Sequence, residues 1–292
     1  MKERLRISVV QSEIIWNKVP ENLAAIELLL ADAEPADLIV LPEMFATGFV
    51  ADALPPEAET AGILDWMREL SERRDAAVAG SVTVSEGGLR YNRLFFVTPD
   101  GETGTYDKRH LFCRSLEPEL YRAGDTLPIF EYAGWKICPQ ICYDLRFPVW
   151  CRNRFENGEY KYDLLLYVAN WPEARVEVWN TLLAARAIEN QCFVVGCNCV
   201  GVDTLGHRYS GASQIVGPTG RVMERAAASQ AQVISSTLSL PKLTGFRTTF
   251  PVGNDWERLQ YVFSQRVAGT QDKDTSMCLV QDHRMSLARH SN

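Results

Sequence analysis

The chain lacks the features that mark several special classes of protein. Of its 292 residues, 46% are apolar, 23% charged and 10% aromatic, which excludes a disordered, collagenous or coiled-coil chain as an overall description. It has no uncharged run long enough to span a bilayer, since the stretch from Phe193 to Val202 is too short and too polar. Residues 1–6 carry charges but lead into no apolar segment, so we expect no signal peptide.

The chain also has fewer basic than acidic side chains. Lys and Arg number 30 against 37 Asp and Glu, which gives a net charge of −7 and argues against nucleic-acid and membrane partners. The 8 cysteines form no Cys-x-x-Cys pair, and Cys197-x-Cys199 near His207 matches no zinc pattern. An even number of cysteines suits disulfides, but a long chain without a secretion signal favours buried thiols and a reducing, cytoplasmic setting.

Apolar runs and amphipathic segments alternate along the chain and predict an α/β fold. The mixture of βα units and β-hairpins favours a four-layer or two-layer sandwich over a purely parallel doubly wound sheet. We expect one domain over residues 1–257 and a tail of unknown role at 258–292. The predicted strands are 5–10, 37–42, 76–84, 89–98, 128–131, 135–141, 163–169, 192–197, 210–216 and 221–224, and the predicted helices start at Pro20, cover 61–74, follow Cys142 and cover 173–190.

Three residues at predicted strand ends have side chains suited to catalysis. Glu43 follows a buried strand, Lys108 follows the strand after Gly104, and Cys142 lies at a turn from strand to helix. Strand ends are where α/β sheets place their sites, and a helix N-terminus favours a thiolate. Taken singly, each residue is more simply a solvated acid, a surface lysine or a buried cysteine. Together they supply a base, a cation and a nucleophile.

The identity of the base follows from the histidines. A thiol must lose its proton before it attacks a carbonyl or nitrile carbon, and cysteine enzymes usually use histidine for this. Of the four histidines only His110 lies near these segments, so Glu43 is the better candidate. A histidine-dependent thiol protease is disfavoured for the same reason.

Three segments resemble the signature motifs of the nitrilase, or carbon–nitrogen hydrolase, superfamily. They occur in the order and at about the spacing of that family, and the resemblance covers about residues 5–255. The omega-amidase branch is the most similar. The motif segments are Leu41-Pro42-Glu43-Met44-Phe45, Tyr106-Asp107-Lys108-Arg109-His110-Leu111-Phe112 and Cys142-Tyr143-Asp144-Leu145-Arg146-Phe147-Pro148.

The resemblance implies a fold, an assembly and a mechanism. The fold is an αββα sandwich that pairs into an eight-layer homodimer, and hydrolysis needs no metal or organic cofactor. Cys142 is the nucleophile and Glu43 the general base. The ammonium of Lys108 and the backbone N–H of Tyr143 stabilise the oxyanion.

The family often has a second glutamate on the loop after the lysine, at a fixed distance before a glycine. Counting back from Gly124 selects Glu117, and Glu119 is the competing choice. Either of them is otherwise a solvated loop acid.

Substrate contacts are expected on both sides of the nucleophile. Arg146 would lie one helical turn after Cys142, where its planar guanidinium suits a substrate carboxylate. Its alternative is an interfacial or salt-bridging arginine. Phe45 and Trp171 occupy motif positions expected to wall the pocket. If Arg146 is structural, the next candidates are Arg114 and Arg175.

The leading hypothesis is an omega-amidase that hydrolyses small carboxylated amides. Its substrates would be α-ketoglutaramate or α-ketosuccinamate, and its products the α-keto dicarboxylate and ammonia, formed through a thioester. The alternatives within the family are a deaminated-glutathione amidase, an N-carbamoyl hydrolase and a nitrilase. A catalytically silent binding or scaffold protein is the alternative from another class, and the intact Glu43, Lys108 and Cys142 argue against it.

Overall fold

Two six-stranded β-sheets form the interior of the computed structural model, which describes residues 2–49 and 57–257. The strands are β1 (Arg4–Gln11), β2 (Leu38–Val40), β3 (Ala77–Glu86), β4 (Leu89–Val97), β5 (Thr103–Asp107), β6 (Phe130–Tyr132), β7 (Trp135–Ile141), β8 (Phe155–Glu156), β9 (Glu159–Tyr160), β10 (Leu164–Ala169), β11 (Phe193–Asn198), β12 (Val200–Val202), β13 (Arg208–Ser210), β14 (Gln214–Val216), β15 (Val222–Arg225) and β16 (Gln232–Ser239). The α-helices are α1 (Val19–Ala31), α2 (Glu57–Arg74), α3 (Glu117–Leu120), α4 (Val176–Asn190) and α5 (Leu240–Thr249).

Both sheets have parallel strands at the centre and antiparallel strands at the edges. The first runs β16-β1-β2-β3-β4-β5 and the second β15-β14-β11-β10-β7-β6. In the first, β1, β2 and β3 are parallel, and in the second, β7, β10 and β11 are parallel. This is the mixture of βα units and hairpins that the sequence predicts.

Period-two alternation along the strands supplies two apolar cores. In β1, Leu5, Ile7 and Val9 join the core that both sheets and α4 share, whereas Val10 joins a second core beneath α1 and α2. This division follows because successive strand side chains point to opposite faces. The layers are therefore helix, sheet, sheet and helix, and the predicted four-layer αββα sandwich is confirmed. The eight-layer dimer stays a prediction.

The helix predicted after Cys142 is wrong. The chain forms only a 3₁₀ turn over Cys142–Arg146. The Asp144 carboxylate accepts a hydrogen bond from the N–H of Ile141 at 3.0 Å and tightens this turn. Pro148 in addition disfavours helical backbone at the residue before it. Arg146 therefore does not lie one turn of an α-helix after Cys142, as the sequence led us to expect.

Two other predicted boundaries also change. The strand predicted at 210–216 is divided into β13 and β14, since Gly211 and Ala212 have φ angles of 75° and 61° that interrupt extended backbone. The helix predicted at 173–190 begins with a 3₁₀ turn at Glu173–Arg175 before α4. The sequence analysis assigned no element to residues 226–257, where β16 pairs with β1 along eight residues and α5 follows.

The seven cysteines within the described residues are all free, and six of them are buried, Cys113 being the exposed one. None of the described helices is long and apolar enough to cross a membrane. The predicted tail at 258–292 lies outside the described residues, and the boundary at 257 stays a prediction.

Candidate active site

The ends of four strands bring polar side chains to one edge of the sandwich. Glu43 follows β2, Lys108 follows β5, Cys142 follows β7 and Asn170 follows β10. Parallel strands present their carboxyl ends together, which is where α/β folds bind their ligands. The first two residues belong to the first sheet and the other two to the second, so the cluster is assembled across the interface between the sheets.

The centre of the cluster is a buried lysine between two carboxylates. Lys108 Nζ donates to Glu43 Oε1 at 2.9 Å and to the two Glu117 oxygens at 2.7 and 3.0 Å. The three side chains are only 1 to 2% exposed. Glu119, the competing glutamate, is exposed. The structure therefore brings Glu117 and not Glu119 to Lys108.

The ionisation of this cluster follows from burial and mutual charge. Burial disfavours the charged lysine, but the carboxylates of Glu117 and Glu43 outweigh it and raise the pKa of Lys108 well above its ordinary value. Burial, opposed by Lys108 and assisted by the negative charge of Glu43, raises the pKa of Glu117. Lys108 therefore remains a cation across the neutral range.

Cys142 lies beside this cluster in a strained backbone conformation. Its φ angle is 43°, which a non-glycine residue adopts at a cost of about 1–3 kcal/mol and which is often found at functional sites. Its Sγ donates to the backbone oxygen of Asn170 at 3.8 Å. Burial and the negative charge of Glu43 raise the pKa of the Cys142 thiol well above its ordinary value, and the positive charge of Lys108 offsets this only in part. The resting sulfur is therefore a thiol that needs a base.

Two asparagines fix the orientation of Glu43, and the sequence analysis gave neither of them a role. Asn92 Nδ2 donates to Glu43 Oε1 at 2.8 Å, and the backbone N–H of Asn170 donates to Glu43 Oε2 at 2.8 Å. Asn92 is a fully buried amide on β4, and such a residue needs a polar partner. An asparagine inside the predicted strand 89–98 was the sequence signal that could have identified this residue. Asn170 directly precedes Trp171, but its contact with Glu43 spans 127 residues of sequence.

The turn that carries Cys142 is anchored by Asp144. The carboxylate accepts hydrogen bonds from Ile141 N at 3.0 Å, Tyr106 Oη at 2.8 Å and His110 N at 2.9 Å. The His110 ring also contacts Asp144 at 2.8 Å and stacks on Phe147 with centroids 3.7 Å apart. His110 is thus engaged by Asp144 and contributes to the turn. Tyr143, the predicted oxyanion donor, is the second residue of this turn.

Arg146 and Trp171 lie together. The Arg146 guanidinium lies 5.1 Å from the centre of the Trp171 ring, and Arg146 is half-buried. Within the described ranges, no carboxylate forms an ion pair with Arg146. Arg175 lies over the Phe112 ring at 5.2 Å, and Arg114 is exposed.

Phe45 does not lie where the motif led us to expect it. Its ring is fully buried in the core beneath α1 and α2, 5.9 Å from the ring centre of Trp66. Met44, which precedes Phe45 in the turn after β2, has a φ of 50°. Phe49 instead has its ring centre 5.9 Å from Lys108 Nζ.

A cleft opens beside Asn170. Tyr209 on β13 forms part of its wall and donates its hydroxyl to Asp203 at 3.0 Å. The cleft is lined by Ile14, Trp16, Asn170, Cys199, Val200, Val202, Asp203 and Tyr209.

No group of three or more His, Cys, Asp or Glu side chains in the described part of the chain is arranged to hold a metal ion.

Comparisons with known proteins give a consistent set of relatives. The family model for carbon–nitrogen hydrolases matches residues 6–248. The omega-amidase YafV of Yersinia enterocolitica is 44% identical over 254 residues, which cover 87% of this chain and 97% of the relative. The 2-oxoglutaramate amidase of Bacillus subtilis is 34% identical over 255 residues, which cover 85% and 96%. The crystal structure of XC1258 from Xanthomonas campestris, a CN-hydrolase superfamily protein with an arsenic adduct in its active site, is 41% identical with a TM-score of 0.86 and covers 89% of this chain and 100% of its own.

The raised pKa of Cys142 predicts a protonated thiol at neutral pH. We expect the ultraviolet absorbance of a thiolate, taken as the difference between the protein and its Cys142→Ser variant, to be absent below about pH 8.5, the ordinary cysteine pKa. The difference cancels the signal of the other cysteines. A thiolate that titrates below pH 7 would contradict this prediction and indicate a preformed ion pair between Cys142 and Lys108.

The two neighbouring glutamates form a matched pair for substitution. Glu117→Gln removes a charge that stabilises the buried Lys108 ammonium, so we expect the free energy of unfolding to fall by about 2 kcal/mol. The exposed Glu119→Gln should change it by less than about 0.5 kcal/mol. Chemical denaturation at neutral pH measures both. Equal effects in the two variants would show that the contact with Lys108 does not stabilise the fold.

Proposed function

Because the chain belongs to the carbon–nitrogen hydrolase family, we propose that it is an omega-amidase that releases ammonia from small α-keto acid monoamides such as 2-oxoglutaramate. The observation that carries this proposal is the buried Lys108 held between Glu43 and Glu117 beside Cys142. The similarity to an omega-amidase and a 2-oxoglutaramate amidase extends along almost the whole length of those relatives. It supports the amide as the reacting group.

In the proposed acylation step, Cys142 Sγ attacks the carbonyl carbon of the amide. The thiol proton passes to Glu43 as the S–C bond forms. The negative charge that develops on the substrate oxygen is stabilised by the Lys108 ammonium and the Tyr143 N–H. Glu43 then gives its proton to the nitrogen, the C–N bond breaks, and ammonia leaves a thioester on Cys142.

In the proposed deacylation step, water replaces ammonia. Glu43 takes a proton from the water as its oxygen attacks the thioester carbon. The S–C bond breaks, the sulfur regains a proton from Glu43, and the carboxylic acid leaves. The high pKa of Cys142 favours this return to the thiol. Glu117 supports both steps, since its carboxylate holds Lys108 charged and in place.

We assign the substrate carboxylate to Arg146. Its guanidinium is half-buried over Trp171 and pairs with no acidic side chain of the described residues, so its charge is available to a ligand. A planar guanidinium binds a carboxylate through two parallel hydrogen bonds. Trp171, which is 3% exposed, would form the wall against which the arginine is held.

We also propose a cytoplasmic homodimer, with a hydrolase domain at residues 1–257 and a separate tail at 258–292. The pairing rests on the resemblance to the family, and the cytoplasmic setting on the free cysteines among the described residues.

Ammonia release from a panel of substrates tests the proposed activity. We expect the highest kcat/KM with 2-oxoglutaramate or 2-oxosuccinamate, and lower values with glutamine, deaminated glutathione, an N-carbamoyl amino acid and an aliphatic nitrile. Cys142→Ala should abolish turnover, while Cys138→Ala, which removes another buried thiol of β7, should retain it. A higher kcat/KM with the nitrile or the carbamoyl compound would overturn the proposal.

Arg146→Lys tests the assignment of the carboxylate. The change keeps the charge but loses the planar pair of donors, so we expect kcat/KM for 2-oxoglutaramate to fall about 10- to 100-fold. An uncharged amide of similar length should be almost unaffected, because it has no carboxylate to lose. Arg175→Lys is the matched control. If that variant shows the selective loss instead, the carboxylate binds at Arg175.

A further inference from the structure

Asn170 is held in the site by its backbone, and its side-chain oxygen has no hydrogen-bond partner among the described residues. The backbone N–H donates to Glu43 Oε2 at 2.8 Å, and the backbone oxygen accepts from Cys142 Sγ at 3.8 Å. The side-chain Oδ1 is buried and accepts no hydrogen bond from any described residue. The backbone of Asn170 thus contacts both the proposed base and the proposed nucleophile. Its side-chain oxygen forms no hydrogen bond to the described residues.

The neighbouring strand offers a direct comparison. Asn198 pairs with Ala169 across β10 and β11, one residue away from Asn170 in the sheet. Its Oδ1 accepts from Trp171 N at 2.7 Å, and its Nδ2 donates to the backbone oxygens of Trp171 and Gly211. The amide of Asn198 is therefore used by the fold, whereas that of Asn170 is not.

The position of Asn170 indicates that a ligand supplies the missing hydrogen-bond donor. Several described residues have buried polar atoms without a hydrogen bond, and among them Asn170 is the residue that also lines the cleft. A buried acceptor without a partner is unfavourable and calls for an explanation, such as a ligand that satisfies it.

We propose that Asn170 Oδ1 accepts a hydrogen bond from the N–H of the scissile amide and thereby makes the site selective for amides. This inference rests on the proposed amidase function. A primary amide has two N–H donors, and its nitrogen must turn its lone pair towards Glu43 before it can take the proton. A hydrogen bond from one N–H to Asn170 fixes that rotation. An ester has no N–H and leaves the acceptor unpaired, as sites built for a donor reject analogues without one.

The test compares a primary amide with the methyl ester of the same acyl group. Both substrates would form the same thioester on Cys142, and kcat/KM reports transition-state stabilisation relative to free enzyme and substrate. Asn170→Leu keeps the backbone contacts with Glu43 and Cys142 but removes the acceptor. We expect kcat/KM for the amide to fall about 10-fold and kcat/KM for the ester to stay within about twofold. Asn170→Ala is the second variant, and its smaller side chain guards against misfolding of the first.

The ester also serves as the internal control for the catalytic machinery. If both substrates lose activity by the same factor, Asn170 acts through its backbone or the fold, and the inference is wrong. An unchanged amide rate in both variants overturns it as well. If the unsubstituted protein hydrolyses the ester but not the amide, the proposed omega-amidase function fails, and that result is recognisable before any variant is made.

Discussion

The site depends on the pairing of one buried ammonium with two buried carboxylates. A charge that is unpaired in a protein interior is strongly destabilising, so Lys108, Glu43 and Glu117 must reach the same place in the folded chain. The first sheet achieves this through Asn92, whose backbone oxygen accepts from Lys108 N at 2.9 Å and whose side chain donates to Glu43. Strand pairing between β4 and β5 therefore sets the distance between the lysine and the glutamate.

Cys142, the proposed nucleophile, reaches this cluster from the other sheet. Its strained turn is held by Asp144, which also bonds the backbone of His110 on the loop after Lys108. One carboxylate therefore connects the Cys142 turn with the lysine segment of the opposite sheet. The backbone of Asn170 completes the connection, since it contacts both Glu43 and Cys142. The relative position of Cys142 and Glu43 thus depends on how the two sheets pack, and burial together with the negative charge of Glu43 raises the pKa of the thiol and keeps the sulfur protonated.

The proposed substrate has two polar ends, and the chain provides a different kind of group for each. A charged guanidinium, that of Arg146, is suited to the carboxylate, and a neutral amide, that of Asn170, is suited to the carboxamide. Each of these groups lacks a polar partner among the described residues. A site that leaves both groups unpaired binds best a molecule that satisfies both. A short amide with one carboxylate therefore fits the proposed site better than a nitrile or an uncharged amide.

The sequence by itself determined the class of fold and the residues that we propose to react. The mixture of βα units and hairpins predicted a sandwich, and the family resemblance predicted its four layers. Three strand-end motifs gave Glu43, Lys108 and Cys142 as candidates, because these features are local along the chain. Only the tertiary structure decided between Glu117 and Glu119. The tertiary structure also decided that Asn92 and Asn170 contact Glu43. It likewise decided that Phe45 is buried beneath α1 and α2. Each of those outcomes depends on which distant segment packs against the residue, and neither spacing nor composition encodes that contact.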